Sequence, residues 1–98
     1  MEVEFGDEKL DLLEIDPNFT SGYSQGVVKS YRKRMQLIRA SPDERDFYKL
    51  KSLRFEKLEG KRKHQHSMRI NDQYRLIVEL LQHSKDKVIK IISIEDYH

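Results

Sequence analysis

The chain has 98 residues, which is enough for one domain with one modest hydrophobic core. It contains no cysteine, so disulfide bonds, thiolate catalysis and thiolate metal sites are excluded. The formal net charge is only +2, no apolar stretch approaches membrane-spanning length, and the acidic first ten residues are unlike a signal peptide. We therefore expect a cytoplasmic protein that does not associate with a membrane.

The first forty residues predict a strand followed by two helices. MEVEF alternates between apolar and polar residues, as a short strand does. Leu10 and Leu13 have helical spacing in DEKLDLLE, which also carries acids in its first turn. After the turn-rich DPNFTSG, the segment SQGVVKSYRKRMQLIRA predicts the clearest helix, because its apolar residues recur at intervals of four, four and three. These residues are Val27, Tyr31, Met35 and Ile38.

The middle of the chain has weaker patterns. SPDE predicts a short helix of one or two turns, with Ser41 as N-cap, Pro42 in the first helical position and Glu44 in the third. Residues 49–63 have no clear period, so we expect an extended connector that ends in a turn near Gly60.

Three strand patterns, separated by turns, complete the chain. They are QHSMRI, QYRLIVELL and VIKIISIEDYH. The last is almost wholly apolar up to Glu95, which is typical of a strand lying between two others. The predicted fold class is therefore α+β, with residues 1–98 as one domain: an N-terminal strand and two helices packed on an antiparallel sheet that ends in a three-stranded meander.

Charge is unevenly distributed along the chain. Residues 1–18 contain seven acids and one lysine, whereas residues 29–39 contain five basic residues and no acid. Residues 49–69 contain eight basic residues against two glutamates. A single basic stretch is usually a solvated face, but two in so small a domain favour a nucleic-acid partner.

At the end of the sequence, Tyr97 and His98 follow the carboxylate of Asp96. They are the only adjacent pair of candidate proton-transfer groups in the sequence. Histidine titrates near neutrality and is well suited to move a proton, whereas tyrosine needs nearby cations to lower its pKa. The alternative is an exposed and inert histidine.

Two basic groups are candidates for phosphate binding. The first is the run Lys61, Arg62 and Lys63 with His64 and His66, for which the alternative is a solvated loop. The two histidines form only a weak metal-binding pattern, because no third ligand stands at a fixed spacing.

The second basic group is Arg69 and Arg75, which flank the predicted turn at Asn71 and Asp72. They could form a basic face for an RNA backbone. Alternatively, they could pair with Glu79 or Glu95.

The stretch LRFEKLEGKRKHQHSMRINDQYRLIVEL, followed by the final DYH, resembles the HigB branch of the RelE/ParE toxin superfamily. The similarity covers the last forty-five residues closely and the first half only in length and order of elements. The matching residues are Leu58, Gly60, Ser67, Arg69, Ile70, Asn71, Gln73, Tyr74, Arg75 and Asp96-Tyr97-His98.

This resemblance implies a small α+β toxin of a type II toxin–antitoxin pair. It further implies a ribosome-dependent mRNA endonuclease that cuts codons in the A site and needs no metal or other cofactor, since the RNA 2′-OH attacks the adjacent phosphate. By position, the catalytic residues would be Asp96, Tyr97 and His98. The RNA-binding residues would be Lys57, Lys61, Arg62, Lys63, Arg69, Gln73 and Arg75.

The implied partners are the ribosome with its mRNA and an adjacently encoded, HigA-like antitoxin with a helix-turn-helix domain. Operator DNA would be bound through the complex with this antitoxin. One departure concerns Glu56 and Glu59, which stand where some relatives have histidine and lysine. Two alternatives stay open: a non-enzymatic, ParE-like inhibitor of DNA gyrase, and a weak toxin that acts mainly in autoregulation.

Overall fold

The computed structural model describes residues 1–96 and confirms the α+β class. Its three helices are α1 (Glu8–Ile15), α2 (Gln25–Ala40) and α3 (Arg45–Lys49), and its strands are β1 (Glu2–Phe5), β2 (Glu56–Lys57), β3 (His66–Arg69), β4 (Tyr74–His83) and β5 (Asp86–Asp96). Two 3₁₀ turns, Lys51–Leu53 and Gly60–Arg62, interrupt the connector. Among these residues, no helix is both long and apolar enough to span a membrane.

The strands described in residues 1–96 form one sheet in the order β1-β5-β4-β3-β2. β5 lies between β1 and β4, as its apolar sequence predicted. The sheet is mixed rather than wholly antiparallel, because β1 runs parallel to β5. β2 is an addition to the predicted elements: it has two exposed residues, paired with Ser67 and His66, and is too short to show a period.

The core lies between α2 and one face of the sheet. The apolar stripe predicted for α2 is confirmed, since Tyr31, Met35 and Ile38 are completely buried and Val27 is nearly so. Burying a large apolar side chain contributes about 1.5–3 kcal/mol to folding. The residues from the sheet that complete this core include Met68, Leu76, Val78, Ile89 and Ile91.

α2 also holds α1 in place. The Tyr31 hydroxyl donates a hydrogen bond to the Leu10 carbonyl oxygen (2.7 Å). The Arg32 guanidinium donates to the carbonyl oxygens of Leu13 (3.0 Å) and Asp16 (2.8 Å). Because α1 has no basic residue in its last turn, Arg32 supplies the positive charge that the helix dipole favours there.

The short helix after α2 exists, but its predicted cap was wrong. Ser41 is the residue at which α2 ends, and its hydroxyl donates to the Leu37 carbonyl oxygen (2.8 Å). Asp43 instead accepts from the Arg45 backbone N–H (2.8 Å) at the start of α3. Ser41 is unavailable as an N-cap because α2 continues as far as Ala40.

The second face of the sheet points away from the helices. Leu76 and Val78 face the core, so the alternation along β4 places Arg75 and Ile77 on the opposite side. We call this the outer face, and its residues are Ser67, Arg69, Arg75, Ile77 and Glu95, which lie directly across from one another on β3, β4 and β5.

Candidate nucleic-acid interface

A row of charges crosses three neighbouring strands of the outer face. Arg69 of β3 lies opposite Arg75 of β4, which in turn lies opposite Glu95 of β5. Like charges directly across a strand pair are unfavourable, so two arginines in this position need nearby compensation. Arg69 forms an ion pair with Asp72, which supplies this compensation. The alternative partners considered from the sequence were Glu79 and Glu95.

Arg75 is almost fully buried and is fixed by the connector. Its Nη2 donates a hydrogen bond to the carbonyl oxygen of Arg54 at 2.5 Å. Arg54 follows the turn Lys51–Leu53 and has a φ of 48°, which is the left-handed conformation. This sharp turn directs the Arg54 carbonyl toward Arg75 and so sets the position of a predicted phosphate-binding group.

Glu95 is held by Arg62 through two hydrogen bonds. Arg62 Nη1 lies 2.9 Å from Glu95 Oε1, and Nη2 lies 2.7 Å from Oε2, while the Ser93 hydroxyl donates to Oε2 at 3.0 Å. The Arg62 guanidinium is the main cause that lowers the pKa of Glu95 below its usual value, and burial opposes it. One of the predicted RNA-binding cations is therefore neutralised by an acid inside the site.

Gln73 and Asp96 meet at the end of β5. The Gln73 Nε2 donates to the Asp96 Oδ2 at 3.1 Å. The hairpin is ordered by Asn71, whose Oδ1 accepts from the backbone N–H groups of Gln73 (2.9 Å) and Tyr74 (2.7 Å). Of the predicted catalytic residues, Asp96 is thus placed beside Gln73, and Tyr97 and His98 lie outside the described residues.

Arg75 lines two depressions in this surface. The larger, which we call the cationic cleft, has a volume of about 480 Å³ and is lined by Lys51, Ser52, Arg54, Arg69, Asn71, Asp72 and Arg75. The smaller, which we call the strand-end pocket, has a volume of about 140 Å³ and is lined by Leu58, Arg62, Ser67, Arg75, Ile77, Glu95 and Asp96. Arg75 is the one residue that the two linings have in common.

Three predicted RNA-binding lysines stand apart from both depressions. Lys57 is exposed on β2, and Lys61 and Lys63 are exposed in and after the turn that begins at Gly60. None of the three has an ion-pair partner in the described part of the chain. Glu56 and Glu59 are exposed in the same connector and reduce its positive charge.

His64, which follows the connector, and His66, the first residue of β3, contact different partners. His64 Nε2 lies 3.4 Å from Glu79 Oε1, whereas His66 stacks on Phe55 with ring centroids 4.9 Å apart and an angle of 10°. Burial lowers the pKa of His66. Within residues 1–96, no three histidine, aspartate or glutamate side chains are grouped as a metal site.

Sequence reasoning missed Lys51 and Arg54 as functional candidates. Both belong to the basic stretch 49–69, but neither is among the individual residues that match the family pattern. The left-handed turn at Arg54 places them in the lining of the same cleft as Arg69. The concentration of basic residues in 49–69 therefore pointed to these two cations, but the sequence pattern did not predict where they lie in the fold.

Comparison with known proteins identifies the fold. A solved structure titled YoeB/ParE toxin from Agrobacterium tumefaciens superposes with a TM-score of 0.62, and the match covers 100% of both chains. At 15% sequence identity this similarity shows a shared fold alone. No curated protein matches the chain significantly in sequence.

The architecture is thus that of the RelE-like toxins. A family model described as the RelE-like toxin of the type II toxin–antitoxin system HigB matches residues 4–98. The chain belongs to this HigB-like toxin family, as the motif around Asn71 and Arg75 predicted. Membership implies an antitoxin as its partner.

Proposed function

We propose that this toxin is a ribosome-dependent mRNA endonuclease that cuts codons in the A site and thereby inhibits translation in the cytoplasm. The observation that supports the proposal is the row Arg69–Arg75–Glu95, whose last member is the chain neighbour of Asp96. In the sequence, Asp96 is followed by the proton-transfer candidates Tyr97 and His98. Cations that hold a phosphate next to proton-transfer groups are what RNA cleavage requires.

The reaction we propose uses the RNA as its own nucleophile. The ribose 2′-OH gives its proton to a base and attacks the adjacent phosphorus. The bond to the 5′ oxygen of the next nucleotide breaks, and an acid protonates that oxygen. The products are a 2′,3′-cyclic phosphate and a 5′-OH. A small open surface suffices for this chemistry. In our scheme the cations of the protein, in place of a metal ion, stabilise the negative charge on the phosphate.

The proposed roles combine the contacts of the described residues with the positions that match the HigB pattern. Arg75 stabilises the charge on the reacting phosphate, because its guanidinium is fixed and borders the strand-end pocket. Asp96, Tyr97 and His98 transfer the protons, and Gln73 orients the Asp96 carboxylate. Electrostatic attraction along the RNA backbone comes from Lys57, Lys61, Arg62, Lys63 and Arg69.

A weak toxin that acts mainly in autoregulation is a second candidate, and the charge of the connector favours it. Glu56 and Glu59 are exposed between the basic residues, and Arg62 is engaged by Glu95. These acids oppose the binding of a polyanion, so slower cutting is expected than in relatives with histidine and lysine at the two positions.

We further propose that the antitoxin is HigA-like, has a helix-turn-helix domain and is encoded next to the toxin. The pair would bind operator DNA mainly through the antitoxin. Family membership supports an antitoxin in general, and these finer features are inferred from the resemblance to HigB toxins.

The decisive test compares wild type with His98→Ala and Asp96→Asn after induction in cells, with the 5′ ends of mRNA mapped. Wild type should produce new 5′ ends within codons. Removing an acid–base group should slow cleavage by about 10²–10⁴-fold. Lys85→Ala is the matched control, because Lys85 is exposed in the β4–β5 turn away from the site.

The other outcomes separate the alternatives. A wild type that stops growth while mRNA stays intact, and that keeps its toxicity in His98→Ala, would refute the nuclease. Loss of DNA supercoiling in that case would indicate a ParE-like inhibitor of gyrase. A wild type that is harmless on induction would indicate the autoregulatory toxin.

A further inference from the structure

We propose that the cationic cleft binds the RNA phosphate next to the one that reacts, with Lys51 and Arg54 as its ligands. This inference rests on the proposed endonuclease function and extends the RNA site beyond the residues that the family resemblance selected.

The charge of the cleft is the first argument. Its walls carry four cations against a single acid, Asp72, which Arg69 already engages. Lys51 and Arg54 are exposed, and neither has an ion-pair partner within residues 1–96. Cations concentrated in a concave surface repel one another and attract an anion, so the cleft favours a phosphate.

The spacing of the strands is the second argument. Neighbouring strands lie about 4.8 Å apart, so Arg69 on β3 is about 10 Å from Glu95 on β5. A phosphate that reacts beside Asp96 therefore cannot also fill the cleft on the β3 side. The two depressions meet at Arg75, so a continuous RNA strand can place one phosphate on each side of this guanidinium.

Arg54 has two separable roles in this arrangement. Its carbonyl oxygen positions Arg75, whereas its side chain lines the cleft. Because its φ of 48° suits glycine, Arg54→Gly keeps the carbonyl and the turn while removing the cation. This substitution tests the side chain alone, and thermal unfolding would verify that the variant stays folded.

The experiment measures how tightly the toxin binds an RNA oligonucleotide that is held as the message on the ribosome. A 2′-O-methyl group at the scissile position of this oligonucleotide prevents cleavage. A second oligonucleotide also carries an uncharged methylphosphonate in place of the neighbouring phosphate. Wild type should bind the second about tenfold more weakly, which corresponds to one charged hydrogen-bonded contact. The double variant Lys51→Ala/Arg54→Gly should bind the first about tenfold more weakly and should not distinguish the two.

Two control variants test whether the effect comes from the charge of the cleft. Lys85→Ala removes the same type of charge elsewhere and should behave as wild type. Asp72→Asn removes the acid from the cleft and should strengthen binding of the charged oligonucleotide. In the double variant, the plot of log affinity against log salt should become shallower by about 0.7 for one lost phosphate contact.

The proposal is overturned if the double variant keeps wild-type affinity, or if it suffers the same penalty from the methylphosphonate as wild type. It is also overturned if the double variant loses affinity for the antitoxin but not for RNA, because the cleft would then be a protein-binding surface. These results differ from failure of the nuclease itself, in which wild type leaves mRNA intact on the ribosome.

Discussion

At the scale of single residues, the half-buried ring of His66 should make the stability of the fold depend on pH. It stacks on Phe55, and its Nδ1 is buried with no hydrogen-bond partner in residues 1–96. Burial is the main cause that lowers its pKa, the nearby Lys57 lowers it further, and Glu44 opposes them. The folded protein therefore favours the neutral imidazole.

We expect the free energy of unfolding to fall as pH decreases through about 6.5, the ordinary pKa of histidine. In that range the unfolded chain binds a proton at His66 that the folded chain binds less readily, so protonation favours unfolding. Urea unfolding between pH 8 and pH 5 measures the slope, and His66→Phe, which keeps the stacking on Phe55, should reduce it. An NMR titration of His66 with a midpoint at or above 6.5 would contradict this assignment.

At the scale of elements, the helices are stabilised by each other as well as by the sheet. α1 has only eight residues, which is too few for a stable isolated helix. Its two buried leucines and its contacts with α2 therefore stabilise α1. The hydrogen bonds from Arg32 to the carbonyl oxygens of Leu13 and Asp16 satisfy groups that the end of α1 leaves open.

Arg32→Ala should lower the free energy of unfolding by about 1–2 kcal/mol, because two charged hydrogen bonds and a helix-dipole contact are lost together. Lys33→Ala is the matched control, since Lys33 is the next residue on α2, is exposed and carries the same charge. Chemical denaturation of both variants measures the difference. Equal stability of the two would show that the carbonyl contacts add nothing.

At the scale of the whole molecule, the net charge of +2 conceals a separation of charge. The acids of residues 1–18 lie on β1, on α1 and at the two caps of α1, whereas cations from the connector and the β3–β4 hairpin line the cationic cleft. Glu95 is an acid within this basic surface, where it is held against Arg62. Its removal would change the local field and the net charge together.

Glu95→Gln should bind the uncleavable RNA more tightly than wild type, because Arg62 is released from a charged partner. Glu2→Gln on β1 gives the same change in net charge at an exposed position on the edge strand. Comparing the two affinities separates the local effect from the net charge. An equal gain in both variants would mean that Arg62 does not reach the RNA.

Several features followed from the sequence by itself, because they depend on residues close together in the chain. Burial alone determines three features: the helix from the apolar stripe of α2, the strand from the alternation along β4, and a position between two other strands from the apolar run of β5. The Asn71 turn and the motif through Arg75 likewise carried the family assignment, which the match over residues 4–98 bears out.

The tertiary structure decided what depends on partners distant in sequence. It set the parallel pairing of β1 with β5 and the capture of Arg62 by Glu95. It also brought Lys51 and Arg54 to the wall of the cleft, through a left-handed turn that no periodic pattern encodes. Local spacing determines which side of an element is buried, but only the packed chain determines which charges meet, because electrostatic contacts depend on distance in space.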